Sequence, residues 1–140
     1  MPIATQTITL TDADHIRLRE MIESLRTVGQ PYRGYVRRLR DEIERAMIVP
    51  ARQVDADLVT MNSHLRVRDL DTGTLERLTL VYHGDADLFN ARLSVLSPLG
   101  AELLGQCVGD EIAWEVPGGS RRIVVERILY QPEAAGHFHL

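Results

Sequence analysis

The stretch from Leu93 to Gly105 constrains the fold more than any other part of the chain. Its first five residues alternate in the manner of a β-strand. Pro98 then removes a backbone donor and fixes φ for a first helical turn, with Ser97 in the N-cap position. The leucines that follow fall on one helix face, and Gly105 stands where a left-handed C-cap would end the helix. The stretch therefore predicts a strand followed by a short, capped helix.

Two turn signals after this stretch predict two more strands. Gly109-Asp110 leads into a strand from Glu111 to Val116, and Pro117-Gly118-Gly119 leads into a strand from Arg121 to Leu129. We expect the tail from Tyr130 to Leu140 to be ordered only in part. A strand, a short helix and a hairpin thus occupy under forty residues.

A second β-hairpin is predicted upstream of this unit. Residues 58–68 and 74–82 alternate between apolar and polar side chains, with the turn sequence Asp71-Thr72-Gly73 between them. We expect residues 83–91 to form a loop in which Asp85 and Asp87 serve as turn formers. No helix long enough for a crossover lies between predicted strands, so we expect an α+β fold with an antiparallel sheet.

The first third of the chain predicts two helices. Thr11 is a suitable N-cap, and Asp12 and Asp14 lie in a first turn, where the helix dipole favours acids. Pro31 opens a second helix whose apolar residues step by four and three, as in a heptad seam. Two helices of about 16 residues would reach roughly 25 Å. We expect them to project as an antiparallel hairpin (a short coiled coil); the alternative is that both lie on the sheet and cover its core.

These patterns divide the chain into a helical hairpin at 1–49, a linker at 50–57 and a C-terminal β domain at 58–140. A length of 140 residues suits one ordinary domain, or a small domain with a helical extension. No apolar run approaches the ~20 residues of a membrane span, and we expect no signal peptide. The single cysteine, Cys107, excludes an internal disulfide and favours the cytoplasm. The net charge of −4 argues against general nucleic-acid affinity.

Residues that could carry chemistry give only weak signals. His137 and His139 form a pair without a third ligand at a fixed spacing, so they do not predict a metal site. Cys107 has no neighbouring histidine in the sequence and is typical of a small residue in a turn. The glycines lack the lysine and the long helix of a phosphate-binding loop. We therefore expect a binding protein rather than an enzyme, with no cofactor and no metal.

Several segments together resemble the bacterial GreA/GreB family of transcript-cleavage factors, and in particular its short Rnk-type members, the regulators of nucleoside diphosphate kinase. The segments are Leu93–Gly105, Val108–Glu111, Trp114–Gly119, Ile123–Tyr130, Val59–Ser63, Leu80–Tyr82 and Tyr130–Gly136. The resemblance extends over nearly all of residues 58–136. The N-terminal hairpin agrees with the family in layout rather than in residues.

The resemblance implies an FKBP-like C-terminal domain that docks at the rim of the secondary channel of RNA polymerase, with the hairpin directed toward the channel. In these factors a Ser-Pro element before the short helix takes part in docking, which points to Ser97 and Pro98 here. The preceding position is acidic or amide-bearing in some members and is Leu96 in this chain.

The hairpin tip departs from the family pattern. Gre factors carry acidic residues there that help to hold the second magnesium ion of the polymerase, which requires hard oxygen ligands. The tip here consists of Gly29, Gln30, Pro31, Tyr32 and Arg33. Because no carboxylate lies between Leu25 and Val36, we expect a regulator that occupies the channel and competes with other channel factors without stimulating cleavage. Arg33, Arg37 and Arg38 are candidates for contacts with acidic channel walls or with nucleic-acid phosphate inside the complex.

The sequence is also compatible with three alternatives to a monomeric polymerase-binding regulator. A prolyl isomerase would share the FKBP-like fold but needs a pocket lined with aromatic residues, and only Trp114 lies in a suitable strand. A protein-binding module could act directly on nucleoside diphosphate kinase or another soluble partner. The hairpin seams could also form a homodimer, although we expect a monomer.

Overall fold

The two long helices precede the main sheet in the computed structural model, which describes residues 7–26 and 33–140. The elements are, in chain order, β1 (Thr9–Thr11), α1 (Asp12–Ser24), α2 (Arg33–Arg45), β2 (Met47–Val49), β3 (His64–Asp69), β4 (Leu75–Val81), β5 (Arg92–Ser94), α3 (Pro98–Leu103), β6 (Glu111–Val116) and β7 (Gly119–Tyr130). This order confirms the predicted α+β class.

The start of α1 follows the predicted capping pattern. The Thr11 side chain accepts a hydrogen bond from the backbone N–H of Asp14 at 3.0 Å, which satisfies one of the free amides of the first turn. Strand β1 leads into α1 and pairs in parallel with β2, which follows α2. The described helices have 13 residues each, against the predicted 16 or so, and the tip residues Gly29, Gln30, Pro31 and Tyr32 lie outside the described residues.

The main sheet has five strands in the order β5-β4-β3-β7-β6. Three of its four neighbouring pairs are antiparallel, as predicted, but β4 and β5 are parallel. A parallel pair needs a connection that returns to the starting end of the first strand. Residues 82–91 make that return through two short 3₁₀ turns. In the second turn the Asp87 carboxylate accepts from the Phe89 backbone and the Asn90 side chain, which confirms Asp87 as a turn former.

The predicted strand at 58–68 is shorter in the structure. Of the residues in the predicted strand, those from His64 onward pair in the main sheet as β3. Residues 60–63 form a turn in which the Thr60 backbone N–H donates to Ser63 Oγ at 3.1 Å. Asn62 in this turn has a φ of 65°, which asparagine tolerates better than most residues. The prediction followed apolar alternation, and Val59 and Met61 are buried as expected without being in a strand.

One hydrophobic core joins the helices to the sheet. The helices contribute Leu18, Ile22, Val36, Leu39 and Ile43, and the β domain contributes Leu65, Val67, Leu78, Leu80, Leu103, Leu104, Ile112, Ile123 and Val125, among others. The backbone N–H of His83 also lies 3.4 Å from the sulfur of Met21. The described turns of both helices therefore share one core with the sheet domain, while α1 makes its main backbone contacts with α2, β1 and β2.

The C-terminal tail is packed against the rest of the molecule, whereas the sequence predicts only partial order. The Gln131 amide donates to the backbone carbonyls of Asp55 and Leu58, both at 2.8 Å. Arg17 of α1 donates to the carbonyl of Phe138 at 3.2 Å. The tail thus ties the predicted linker and α1 together. Within the described ranges, no helix has the length and apolar character that crossing a membrane requires.

Candidate functional site

The predicted docking element is a tight turn between β5 and α3. The Ser97 hydroxyl accepts from the backbone N–H of Gly100 at 3.0 Å and donates to the carbonyl of Ser94 at 2.7 Å. Ser97 is therefore the N-cap of α3, and Pro98 occupies the first helical turn, as the sequence predicts. Because one hydroxyl bonds both sides of the turn, the Ser-Pro element is held in a single geometry.

Gly100 allows this turn to close. A Cβ atom built on Gly100 would lie 2.0 Å from the carbonyl oxygen of Ser94 and 2.9 Å from Ser97 Oγ. The first contact is with backbone, which cannot move aside as a flexible side chain can. Glycine is thus required by close approach of the chain at this position.

The three predicted docking residues differ in exposure. Pro98 is exposed and Ser97 is half-buried, whereas Leu96 belongs to the core and is 3% exposed. The Leu96 side chain therefore supports the turn from within, and the surface that a partner would meet is formed by Ser97 and Pro98. His83 lies behind the turn, with its Nδ1 3.3 Å from the Ser94 hydroxyl.

The arginines on the predicted basic face of α2 differ in their ion pairing. Arg38 forms an ion pair with Glu42 at 3.3 Å and a second one with Glu102 of α3. Burial raises the pKa of the Glu42 carboxyl, against the lowering effect of Arg38. Arg37 is exposed and makes no ion pair within the part of the chain that the structure describes. Arg37 is thus free for a partner, while Arg38 ties α2 to the helix of the docking turn. Arg33 begins α2, and its side chain is not described.

A buried carboxyl joins α1 to the sheet domain. Asp14 is 1% exposed, and its two oxygens accept from the backbone N–H of Met61 at 2.9 Å and from the Tyr82 hydroxyl at 3.4 Å. Burial raises the pKa of this carboxyl to about 7, although the bond from Met61 acts in the opposite direction. The sequence indicated Asp14 only as a first-turn acid. Its distinguishing signal is its position four residues before Leu18, which places it on the buried face of α1.

The residues considered for metal or thiol chemistry are dispersed. Within residues 7–26 and 33–140, no group of three or more His, Cys, Asp or Glu side chains is arranged to hold a metal ion. His137 lies 2.6 Å from the Tyr130 hydroxyl through its Nδ1. Burial raises the pKa of the Cys107 thiol, and nearby acids such as Asp110 raise it further, which disfavours the reactive thiolate.

Comparisons with known proteins match both parts of the chain. Residues 53–130 match the family described as transcription elongation factor GreA/GreB, C-terminal, and residues 6–49 match the Rnk N-terminus. The chain is 39% identical over 135 residues to the regulator of nucleoside diphosphate kinase of Escherichia coli K12, covering 96% of this chain and 97% of that protein. It is 33% identical over 92 residues to transcription elongation factor GreA of Clostridium perfringens SM101, covering 66% of this chain and 58% of that factor.

Solved structures agree with the fold. A GreA/GreB transcription elongation factor from Nitrosomonas europaea superposes with a TM-score of 0.75 at 34% identity, covering 89% of this chain and all of that one. A structure of the transcription factor Gfh1 superposes with a TM-score of 0.51 at 20% identity, covering 91% of this chain and all of that one, a likeness of fold alone.

Proposed function

The chain belongs to the GreA/GreB family of transcription elongation factors, and we propose that it binds RNA polymerase at the rim of the secondary channel without stimulating transcript cleavage. The observation that carries this proposal is the turn at Ser97 and Pro98. The turn lies within the region that matches the family model, exposes Pro98, and is fixed by the two hydrogen bonds of the Ser97 hydroxyl. A rigid exposed turn is suited to binding because little conformational entropy is lost on association.

The composition of the hairpin tip is unsuited to holding magnesium. Magnesium is held mainly by carboxylates, phosphates and water, with near-octahedral geometry. Residues 26–35 contain no aspartate or glutamate, so the tip has no anionic oxygen ligand to offer. The factor would then act by occupying the channel and excluding other channel factors, in the cytoplasm where the polymerase works.

Arg37 supplies the contact that we propose along the channel. It is exposed and has no ion-pair partner in the described part of the chain. An acidic channel wall or a nucleic-acid phosphate would provide a charge-assisted partner for its guanidinium group. With a chain charge of −4, we expect contact with nucleic acid only within the polymerase complex.

A second candidate function is direct regulation of nucleoside diphosphate kinase. It is supported by the name of the Escherichia coli relative, which matches almost the whole chain. Assays with purified proteins distinguish the two functions. Direct regulation requires the chain to bind the kinase and change its activity with no polymerase present, whereas control through transcription requires no contact between the two proteins.

Competition against a labelled GreA-type factor for core RNA polymerase tests the first proposal. We expect the wild-type chain to displace that factor and Pro98→Glu to weaken displacement at least tenfold, about 1.4 kcal/mol. Glutamate is favourable in a first helical turn, so this change should leave α3 intact. The control is Ala134→Glu, which adds the same charge at an exposed position of the tail. Failure of the wild type to compete would overturn polymerase docking.

Cleavage of a backtracked transcript is measured on the same samples. We expect the rate with the wild-type chain to match the rate of polymerase alone, while a GreA-type factor accelerates it. Cleavage above that background would contradict the argument from the acid-free tip. A parallel assay with purified nucleoside diphosphate kinase tests the second candidate, and unchanged activity together with no binding would exclude direct regulation.

A further inference from the structure

The outward face of the five-stranded sheet carries a row of arginines. Leu65 and Val67 of β3 point into the core, so Arg66 between them points outward. The sheet register sets Arg66 directly opposite Arg77 of β4 on one side and Arg127 of β7 on the other. Three arginines therefore stand side by side across three adjacent strands, on a face that no described helix covers.

Two more arginines extend this surface, and Glu126 forms ion pairs within it. Arg68 follows Arg66 on the same face of β3, and Arg92 of β5 is paired with the outward Thr79 of β4. A bulge in β7 sets Glu126 beside Arg127, on the same face. Glu126 is the single carboxylate at the outward positions of β3, β4, β5 and β7. Glu111 lies on the same face of the edge strand β6, and the Asp87 carboxylate interacts with Arg92 from the loop before β5. We call Arg66, Arg68, Arg77, Arg92 and Arg127 the arginine face.

Glu126 neutralises only the centre of this face. Its two oxygens form ion pairs with Arg66 at 2.9 Å and with Arg68 at 2.7 Å. Arg77 and Arg127 are exposed and have no ion-pair partner among the described residues. The face thus carries an excess of positive charge, although the whole chain has a net charge of −4.

The stability of the fold does not explain why arginines occupy these three neighbouring positions. Like charges directly opposite each other on neighbouring strands are destabilising. An external anion would remove that repulsion. The chain contains no lysine, and the planar guanidinium fork binds carboxylates through two parallel hydrogen bonds.

We propose that the arginine face binds an acidic segment of a partner protein. Charge complementarity favours a carboxylate-rich strand or helix that lies across β4, β3 and β7. Nucleic acid is the less suitable ligand for two reasons. The net negative charge of the chain repels a long polyanion. Single-stranded binding relies on successive aromatic stacking platforms, whereas β3, β4 and β7 offer His64 and its register partner Tyr130 at one end of this face. The core residues of α3 lie against the opposite face of the sheet, so this site is separate from Ser97 and Pro98 and does not depend on the polymerase proposal.

Fluorescence anisotropy with short labelled probes tests the proposal. The probes are a twelve-residue peptide of glutamate and alanine and an oligothymidylate of the same length, each titrated with the full chain at low salt, where screening is weak. We expect the peptide to bind more tightly than the oligonucleotide, and Arg77→Glu/Arg127→Glu to weaken peptide binding at least tenfold. The control Arg19→Glu/Arg40→Glu changes the net charge equally at exposed positions of α1 and α2 and should change the affinity less than twofold.

Three results would overturn the proposal. They are no peptide binding by the wild type, tighter binding of the oligonucleotide, and an equal loss of affinity in the control. A thermal melt of Arg77→Gln/Arg127→Gln gives an independent measure. We expect its midpoint to equal or exceed that of the wild type, because the substitution relieves repulsion. A midpoint lower by several degrees would show that the arginines stabilise the fold and would also contradict the proposal.

Discussion

Asp14 holds the first turn of α1 to the sheet domain through both of its carboxyl oxygens. One oxygen accepts from the backbone N–H of Met61, and the second accepts from the Tyr82 hydroxyl. A buried carboxyl is costly to ionise, so its contribution to stability depends on pH. Protonation of the Asp14 carboxyl is thus coupled to the packing of α1 on the sheet domain.

The sign of this dependence follows from the raised pKa of Asp14. The carboxyl titrates near 3.8 in the unfolded chain and at about 7 in the folded protein. Between these values the folded state holds a proton that the unfolded state has lost, so the free energy of unfolding falls as pH rises, by up to roughly 1.4 kcal/mol per unit. Above about 7 the contribution becomes constant.

Urea unfolding of the wild type and Asp14→Asn across pH 4–8 measures this contribution. Asparagine cannot titrate but retains an oxygen that can accept from Met61. We expect the stability of the wild type relative to Asp14→Asn to decrease from pH 4 to pH 7 and then to level off. A difference that is independent of pH would show that Asp14 does not carry a raised pKa.

The six-residue helix α3 depends on its contact with the turn before it. An isolated helix of this length would not form in water, so its cap and packing must stabilise it. Gly100→Ala places a methyl group against the Ser94 carbonyl, and we expect a loss of about 1–3 kcal/mol in the free energy of unfolding. Gly34→Ala, in α2 with open space around it, is the matched control and should be neutral or stabilising by about 0.5–1 kcal/mol. Equal effects of the two variants would contradict the close approach at Gly100.

The local sequence correctly predicted the features that depend on neighbouring residues alone, such as helix caps and tight turns. Thr11 and Ser97 cap the helices as expected, and the turn at Gly73 and the bounds of β6 follow the sequence. The parallel pairing of β5 and the turn around Asn62 were not predicted. Apolar alternation reports which side chains are buried, but strand pairing depends on partners distant in sequence. For the same reason the arginine row is invisible until the register of three strands is known.

For the molecule as a whole, the sequence left open what the two helices pack against. A heptad-like stripe on α2 identifies the buried face but not its partner. Leu39 is fully buried, and it belongs to one core that also contains Leu80 and Val125 of the sheet. The division into 1–49, 50–57 and 58–140 stays a prediction. Whether the helices and the sheet unfold separately depends on how far they share this core.

A shared core predicts a single unfolding transition. Trp114, the one tryptophan, lies in β6 and reports on the sheet by fluorescence, whereas circular dichroism at the helical band reports mainly on α1 and α2. We expect both signals to change together in urea, because neither part can lose its contacts without exposing the apolar surface of the other. Leu39→Ala should lower the stability by about 2–5 kcal/mol in both signals equally. If this substitution moved the helical transition alone, the helices would form an independent unit, and the shared core would not govern stability.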